Sequence, residues 1–477
     1  MRRRPQDISA MELASLAHAG LYGVGAAWAF GGNAAFAEPY LLAWGAVGAA
    51  LTASAGLLAS ERALRSRVLA RLWPFLAFNF LTLIALTVPG FRALTLDHEL
   101  MLLPRYVPFW QPSSATPHLA FRSLGLFDGL YLSAFNVLLL VRRRRALRAL
   151  LLLLAGNAVV LAVFGTIQKL GGATGLYFGA IASPQSFFFA SFVYDNHWGA
   201  YIILMTAALL GLVWHHALHG EARRDWLHSP ALTAAVGVLV LALSVPLSGA
   251  RICTALLFTL LAADYGAWLR RLRRQPDSKL RSAVTGAVIV LLLVGAGSWY
   301  LGGDFYRARI EKTREQLAHL RTDGGLDFRL RLYRDTWRMA QARPGFGWGS
   351  GSYPHVFQIY NTAEPNPLDH LPRFFHDAHS DWLQSLAEHG WVGSAALVLC
   401  ALVPAAFTGR RVLNNRLSRR LLAGCAVVLA YALIEFPFGN FAVQLTWWLF
   451  FFGALRYGAL SEPRPAGDPS PEPPSSA

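Results

Sequence analysis

Cysteine is nearly absent from this 477-residue sequence: Cys253, Cys400 and Cys425 stand far apart, each inside an apolar run. No pairing or ligand spacing links them, which excludes a disulfide framework and a thiolate metal site and leaves small core residues. Charge is scarce as well. Only 15% of the residues are charged, and 27 acids face 43 bases for a net charge of +16. Such a balance ordinarily points to nucleic acid. Here most of the Arg falls in short clusters between apolar runs, a placement that the positive-inside rule explains without a nucleic-acid partner. Missing, too, is a Gly-Lys-Ser/Thr ending to the one Gly-rich stretch, Gly345-Phe346-Gly347-Trp348-Gly349-Ser350-Gly351, which follows Pro344. Without that ending the stretch reads as a close-approach turn that shapes a site, not as a nucleotide loop.

What the chain has in abundance is apolar sequence, 55% of all residues, in runs long enough to cross a bilayer, which takes about 20 residues per helix. Candidate spans lie near 13–30, 39–59, 72–90, 119–141, 149–168, 197–214, 230–247, 252–268, 282–301, 391–408, 421–436 and 441–457. The expected fold is therefore an all-α, polytopic integral membrane protein of about twelve helices. Alternate connections are basic: Arg62 to Arg71, Arg142 to Arg145, Arg223-Arg224, Arg270 to Arg281 and Arg410 to Arg420. This alternation predicts that both termini are cytoplasmic. Ala35-Phe36-Ala37, before Glu38-Pro39, offers a rival reading as a signal-peptidase site that would remove the first span.

The organisation that follows is nine N-terminal spans over 1–301, a long outward loop over 302–390, three further spans over 391–460, and a Pro- and Ser-rich tail over 461–477 that reads as disordered. Within the loop, 305–320 and Phe328 to Ala342 carry apolar residues at helical spacing, so both are expected as helices on the membrane's outer face.

Chemistry-bearing residues gather at the end of that loop. His376, Asp377, His379, Asp381 and Glu388 fall within thirteen positions, just before the chain turns apolar again. Imidazole, with an ordinary pKa near ~6.5, suits a general base, and a neighbouring carboxylate can orient it. A His-x-x-His pair with one Asp between is a weak pattern for a metal, and none is expected. Arg251, in Ser248-Gly249-Ala250-Arg251, stands between two spans with almost no loop. A charge there either snorkels, pairs with Asp195 or Glu435, or binds an anionic ligand.

His379-Ser380-Asp381-Trp382-Leu383-Gln384, with Ala387-Glu388, Gly390 and Gly393, resembles the His-Asn-Asp-aromatic-Leu-Gln…Glu…Gly signature of the O-antigen ligase and O-antigen polymerase family. Ser248 to Arg251 resembles that family's Ser-Arg turn, and Arg329 through Pro344-Gly345-Phe346-Gly347 its Arg…Trp…Pro-x-x-Gly-x-Gly segment. Gln168 and Asn196-His197 fit its Gln and Asn-His pattern. The likeness spans roughly 160 to 400, with Ser380 where the family usually has Asn.

The resemblance implies a metal-independent, inverting glycosyltransferase of the bacterial inner membrane, without a cofactor, working at the periplasmic face. Its donor would be a glycan on polyprenyl (undecaprenyl) pyrophosphate, its acceptor a glycan or a lipid A core, and its surroundings membrane lipid. It implies Arg251 and Arg329 as pyrophosphate ligands and His379 as the base, with Asp377 or Asp381 orienting it. His376, Glu388, Gln168, Asn196 and His197 are further candidates. A secondary transporter or a flippase for lipid-linked glycans would share the layout, but would show two similar halves and polar residues at mid-membrane.

Overall fold

The computed structural model describes residues 9–57, 62–96, 99–185, 187–218, 229–274, scattered positions between 285 and 296, 325–363 and 373–460. The expected span at 282–301 falls largely outside the described residues. The expected helix over 305–320 and the tail over 461–477 lie wholly outside them.

Helices dominate: α1 Ala10–Trp28, α2 Glu38–Leu57, α3 Arg62–Leu86, α4 Pro117–Leu140, α5 Arg144–Leu170, α6 Asp195–Leu218, α7 Pro230–Ser248, α8 Arg251–Arg274, α9 Gly325–Ala342, α10 Tyr353–Tyr360, α11 Asp381–Ala406, α12 Arg416–Tyr431 and α13 Phe441–Ala459. Seven of them are long and apolar enough to cross a membrane: α4 to α8, α11, and α3 from Val68 onward. Helices α1, α2 and α13 stand at three more of the expected places and are not among those seven. Among the described residues, seven helices of spanning length and composition thus stand against the twelve expected.

Helix α6 is apolar on every side, and a helix of that kind must be surrounded. Helices α5, α7, α8, α12 and α13 pack around it. Helices α2 and α4 form a second tight pair through Gly45 and Gly129, where a Cβ on either residue would lie within 2.7 Å of the other's backbone.

Within the all-α architecture, Phe91–Leu96 and Glu99–Pro104 form a short antiparallel ribbon, β1 and β2. Pro89-Gly90 ends α3, and Pro104 pairs with Phe91 at the open end of the ribbon, where its missing N–H leaves no gap in the ladder. Two boundaries also moved. The span expected at 421–436 stops at Tyr431 and is only 16 residues long. Pro437 holds Phe436 outside helical geometry (φ −123°, ψ 58°), so the stretch bearing Glu435 runs as a turn between α12 and α13. The span expected from 391 begins ten residues earlier, in α11, which is broken at Gly390 (φ 62°, ψ −169°).

Amphipathic α9, expected from its spacing, buries Leu332, Asp335, Thr336, Met339 and Ala340 along one face. Its core partners include Trp348, Tyr353, Phe357 and Ala387, so the Gly-rich turn, α10 and α11 close over it.

Candidate active site

The Gly-rich turn and the break in α11 hold each other. At Gly390 the helical ladder is interrupted, leaving carbonyls before the break and amides after it without helical partners. The turn supplies them. Trp348 N donates to Ala387 O at 3.0 Å and Gly349 N to Glu388 O at 2.8 Å, while Trp391 N donates to Pro344 O at 2.8 Å and Val392 N to Gly345 O at 3.0 Å. Glu388, buried, accepts from Tyr353 N at 3.0 Å through Oε1 and so ties α10 to the same junction.

Upstream of the break, Ser380 caps α11 by accepting from Leu383 N at 3.4 Å. Asp381 anchors the helix start on the turn after α12: its N donates to Ala432 O at 3.0 Å, and its Oδ2 accepts from Phe438 N at 2.9 Å. His379 precedes that cap with φ 50°, a left-handed backbone that a residue with a Cβ adopts at a cost of order 1–3 kcal/mol. Tyr333, on α9, donates its hydroxyl between His379 O at 3.0 Å and Ile434 O at 3.3 Å.

Glu435 is the centre of the arrangement, only 1% exposed. Its Oε1 accepts from Arg329 Nη2 at 2.8 Å, and its Oε2 lies 3.3 Å from His379 Nδ1. Arg329 and Tyr333, four residues apart on α9, present one face to it. The two partners of Glu435 are less covered, with the Arg329 side chain 42% and the His379 side chain 32% exposed. His379 Nε2 has no hydrogen-bond partner among the described residues. With Nδ1–H directed at a carboxylate, that nitrogen is the basic one.

Aromatic rings fix the rest of the pocket. Phe436 meets His379 and His197 edge-on, each at 5.0 Å between centroids, and Tyr194 stacks on it at 5.5 Å. His197 Nε2 donates to Phe436 O at 3.2 Å, and Asn196 donates to the Tyr194 hydroxyl at 2.8 Å. The first turn of α8 abuts the same place. Gly249 is left-handed (φ 96°), two residues separate α7 from α8, and Cys253 Sγ lies 3.6 Å from Asn196 O. Arg251 opens that turn with an exposed side chain.

The electrostatics follow from burial. Asp377 is held above the usual carboxylate range by burial, which the positive potential of His379 and His376 only partly offsets. Burial also pushes the Tyr333 and Tyr194 hydroxyls up. For Arg329, burial works against the charge, but the Glu435 carboxylate outweighs it and raises the guanidinium above its ordinary value.

Of the residues singled out from sequence, Arg329, His379 and His197 therefore meet around the Glu435-Phe436 turn, with Asn196 and the start of α8 beside them. Asp381 and Glu388 are engaged with backbone amides, and His376 is exposed against Phe374. Gln168 lies in another part of the fold, buried, with its amide on Ala190 O and its oxygen on Phe178 N, both at 3.1 Å. Sequence reasoning missed Tyr333, and it weighed Glu435 only as a partner for Arg251. The signal for Glu435 was present: a lone acid closing an apolar run is a functional candidate by default. Among the described residues no group of three or more His, Cys, Asp or Glu is placed to hold a metal ion.

Residues 235–398 match the family model described as O-antigen ligase, which supports the resemblance drawn from the motifs. The matched range holds Arg251, Arg329, His379 and the Gly-rich turn; Glu435 lies beyond it. A search of curated proteins finds no match to the chain.

Proposed function

From the O-antigen ligase-type segment at 235–398 we infer that this membrane protein is a glycosyltransferase that takes a glycan from a polyprenyl pyrophosphate, of undecaprenyl type, and attaches it to an acceptor hydroxyl at the periplasmic face of the bacterial inner membrane. The observation that carries the reading is the convergence of a partly open Arg329 and a partly open His379 on one buried carboxylate. A cation and a base stand side by side there, as displacement of a pyrophosphate by an alcohol requires.

The chemistry assigns a role to each group. As the acceptor oxygen bonds to the anomeric carbon, the bond from that carbon to the pyrophosphate oxygen breaks and its electron pair leaves with the phosphate. Guanidinium groups neutralise that charge through paired N–H donors, the work proposed for Arg329 and for Arg251 at the N-terminus of α8. His379 Nε2 takes the proton of the acceptor hydroxyl. Attack from the face opposite the leaving group inverts the anomeric centre, and with Arg holding the pyrophosphate no metal is called for.

Ligation to a lipid A core and polymerisation of repeat units differ only in the acceptor. Deletion of the protein, followed by gels of surface glycans and lipid-linked intermediates, separates them. A lost length ladder with single units retained identifies a polymerase, and full-length lipid-linked polymer left unattached identifies a ligase. Loss of the surface glycans altogether, with lipid-linked intermediates trapped on the cytoplasmic side, would identify a flippase instead.

A further inference from the structure

We propose that Glu435 is a positioning residue that couples donor binding to the base: a pyrophosphate that engages Arg329 draws it from Glu435, and the released carboxylate then serves His379 alone. This rests on the functional reading above and adds to it an order of events within the site.

The geometry is a carboxylate divided between two partners, Oε1 to Arg329 at 2.8 Å and Oε2 to His379 Nδ1 at 3.3 Å. The shorter contact belongs to the cation. While Arg329 is paired in this way, much of the Glu435 charge is neutralised, and an imidazolium forming at His379 gains less from it. A pyrophosphate offers Arg329 two acceptors of higher charge in the bidentate arrangement that guanidinium favours. Glu435 is buried, whereas Arg329 is partly exposed on amphipathic α9, so Arg329 is the partner placed to shift. After the shift Glu435 holds Nδ1–H and stabilises the positive charge that arises when Nε2 takes the acceptor proton. The proton passes from the acceptor hydroxyl to Nε2, and none is transferred to Glu435. The base is thus at full strength only when a donor is in place, which disfavours premature activation of an acceptor or of water.

The groups facing this carboxylate come from several elements. They are Arg329 and Tyr333 of α9, His379, Asp377 and Asp381 around the start of α11, Tyr194 and His197 at the start of α6, Cys253 of α8 and Tyr431 at the end of α12. Among them Arg329 and His379 are the ones hydrogen-bonded to its oxygens.

The test uses the full-length protein in liposomes with a polyprenyl-pyrophosphate glycan donor and, for binding, polyprenyl pyrophosphate alone. Glu435→Gln keeps the shape and an acceptor for Nδ1–H but removes the charge. It should lower kcat at least about 10-fold, a part of the roughly 10²–10⁴-fold that positioned proton transfer contributes, while polyprenyl pyrophosphate binds as tightly as before or tighter, since Arg329 is no longer held. Because a neutral neighbour stabilises the imidazolium less, the acidic limb of the kcat profile should move to lower pH. Glu435→Asp should recover part of kcat, and in an Arg329→Ala background, where Glu435 serves His379 alone from the start, Glu435→Gln should still lower kcat. A merely structural Glu435 predicts instead that kcat and donor binding weaken together with the pH limb unmoved, and that outcome overturns the proposal. So does an unaffected Glu435→Gln enzyme. His379→Ala, run alongside, separates the two levels: if it is inactive while Glu435→Gln is normal, only the coupling fails, and if it is fully active the functional reading fails as well.

Discussion

Gly347 and Gly390 lie so close that a Cβ added to Gly347 would stand 2.6 Å from the Gly390 nitrogen and 2.4 Å from the Glu388 carbonyl carbon. This contact carries the backbone exchange between the Gly-rich turn and the break in α11, and through α11 it fixes the position of His379. Gly390, at φ 62° and ψ −169°, occupies a region that only glycine enters freely. Gly390→Ala should therefore cost on the order of 3 kcal/mol or more. The check is thermal unfolding and accumulation in detergent, compared with a Gly25→Ala control, where an added Cβ meets nothing within 4 Å.

His379→Ala should reduce glycan transfer by about 10²–10⁴-fold while the protein still inserts and accumulates, since positioned proton transfer contributes on that scale. His376→Ala, at an exposed position against Phe374, should cost far less. Single-turnover transfer from a polyprenyl-pyrophosphate donor distinguishes the two. Chelators should leave both measurements unchanged.

Arg251→Lys preserves charge and loses the planar fork, so transfer should fall at least about 10-fold although one positive charge remains. Arg251→Ala with donor binding intact would mark the residue as a snorkelling side chain at the end of its helix.

Asp377 gives a pH-dependent signature. Its carboxyl is raised by burial, so ionising it is harder in the folded protein than in the unfolded one. The associated stability is complete below the ordinary Asp value of about 3.9 and is lost as pH rises through the shifted one. Asp377→Asn lacks that loss. Its melting temperature relative to the unmodified protein should therefore climb as pH rises from the ordinary carboxylate value upward, as measured in detergent at a series of pH values. A constant difference would contradict the assignment.

Reporter fusions after Arg145 and after Thr362 should report opposite sides of the membrane, cytoplasmic for the first and periplasmic for the second. The basis is the Arg that marks alternate connections. Finding both on one side would remove the proposed topology.

The sequence by itself determined the helical, membrane-embedded character of the chain, the amphipathic α9 with Arg329, the α7–α8 junction with Arg251, and His379 at the mouth of α11. All of these are local signals, held in runs of apolar residues, in a 3.6-residue period, or in a motif of a few positions. Only the tertiary structure decided which acid lies against the imidazole. Asp377 and Asp381 are two positions from His379 in sequence, yet the carboxylate on its Nδ1 belongs to Glu435, 56 positions away, which also pairs with Arg329 across 106 positions. Neighbours in sequence at a helix start point in different directions, and Asp381 is taken up by the backbone of the turn after α12. The same reason hid which partners Glu388 and the Gly-rich turn would take. A broken helix must find partners for its orphaned amides and carbonyls, and which segment supplies them is settled by packing, not by any periodicity a sequence displays.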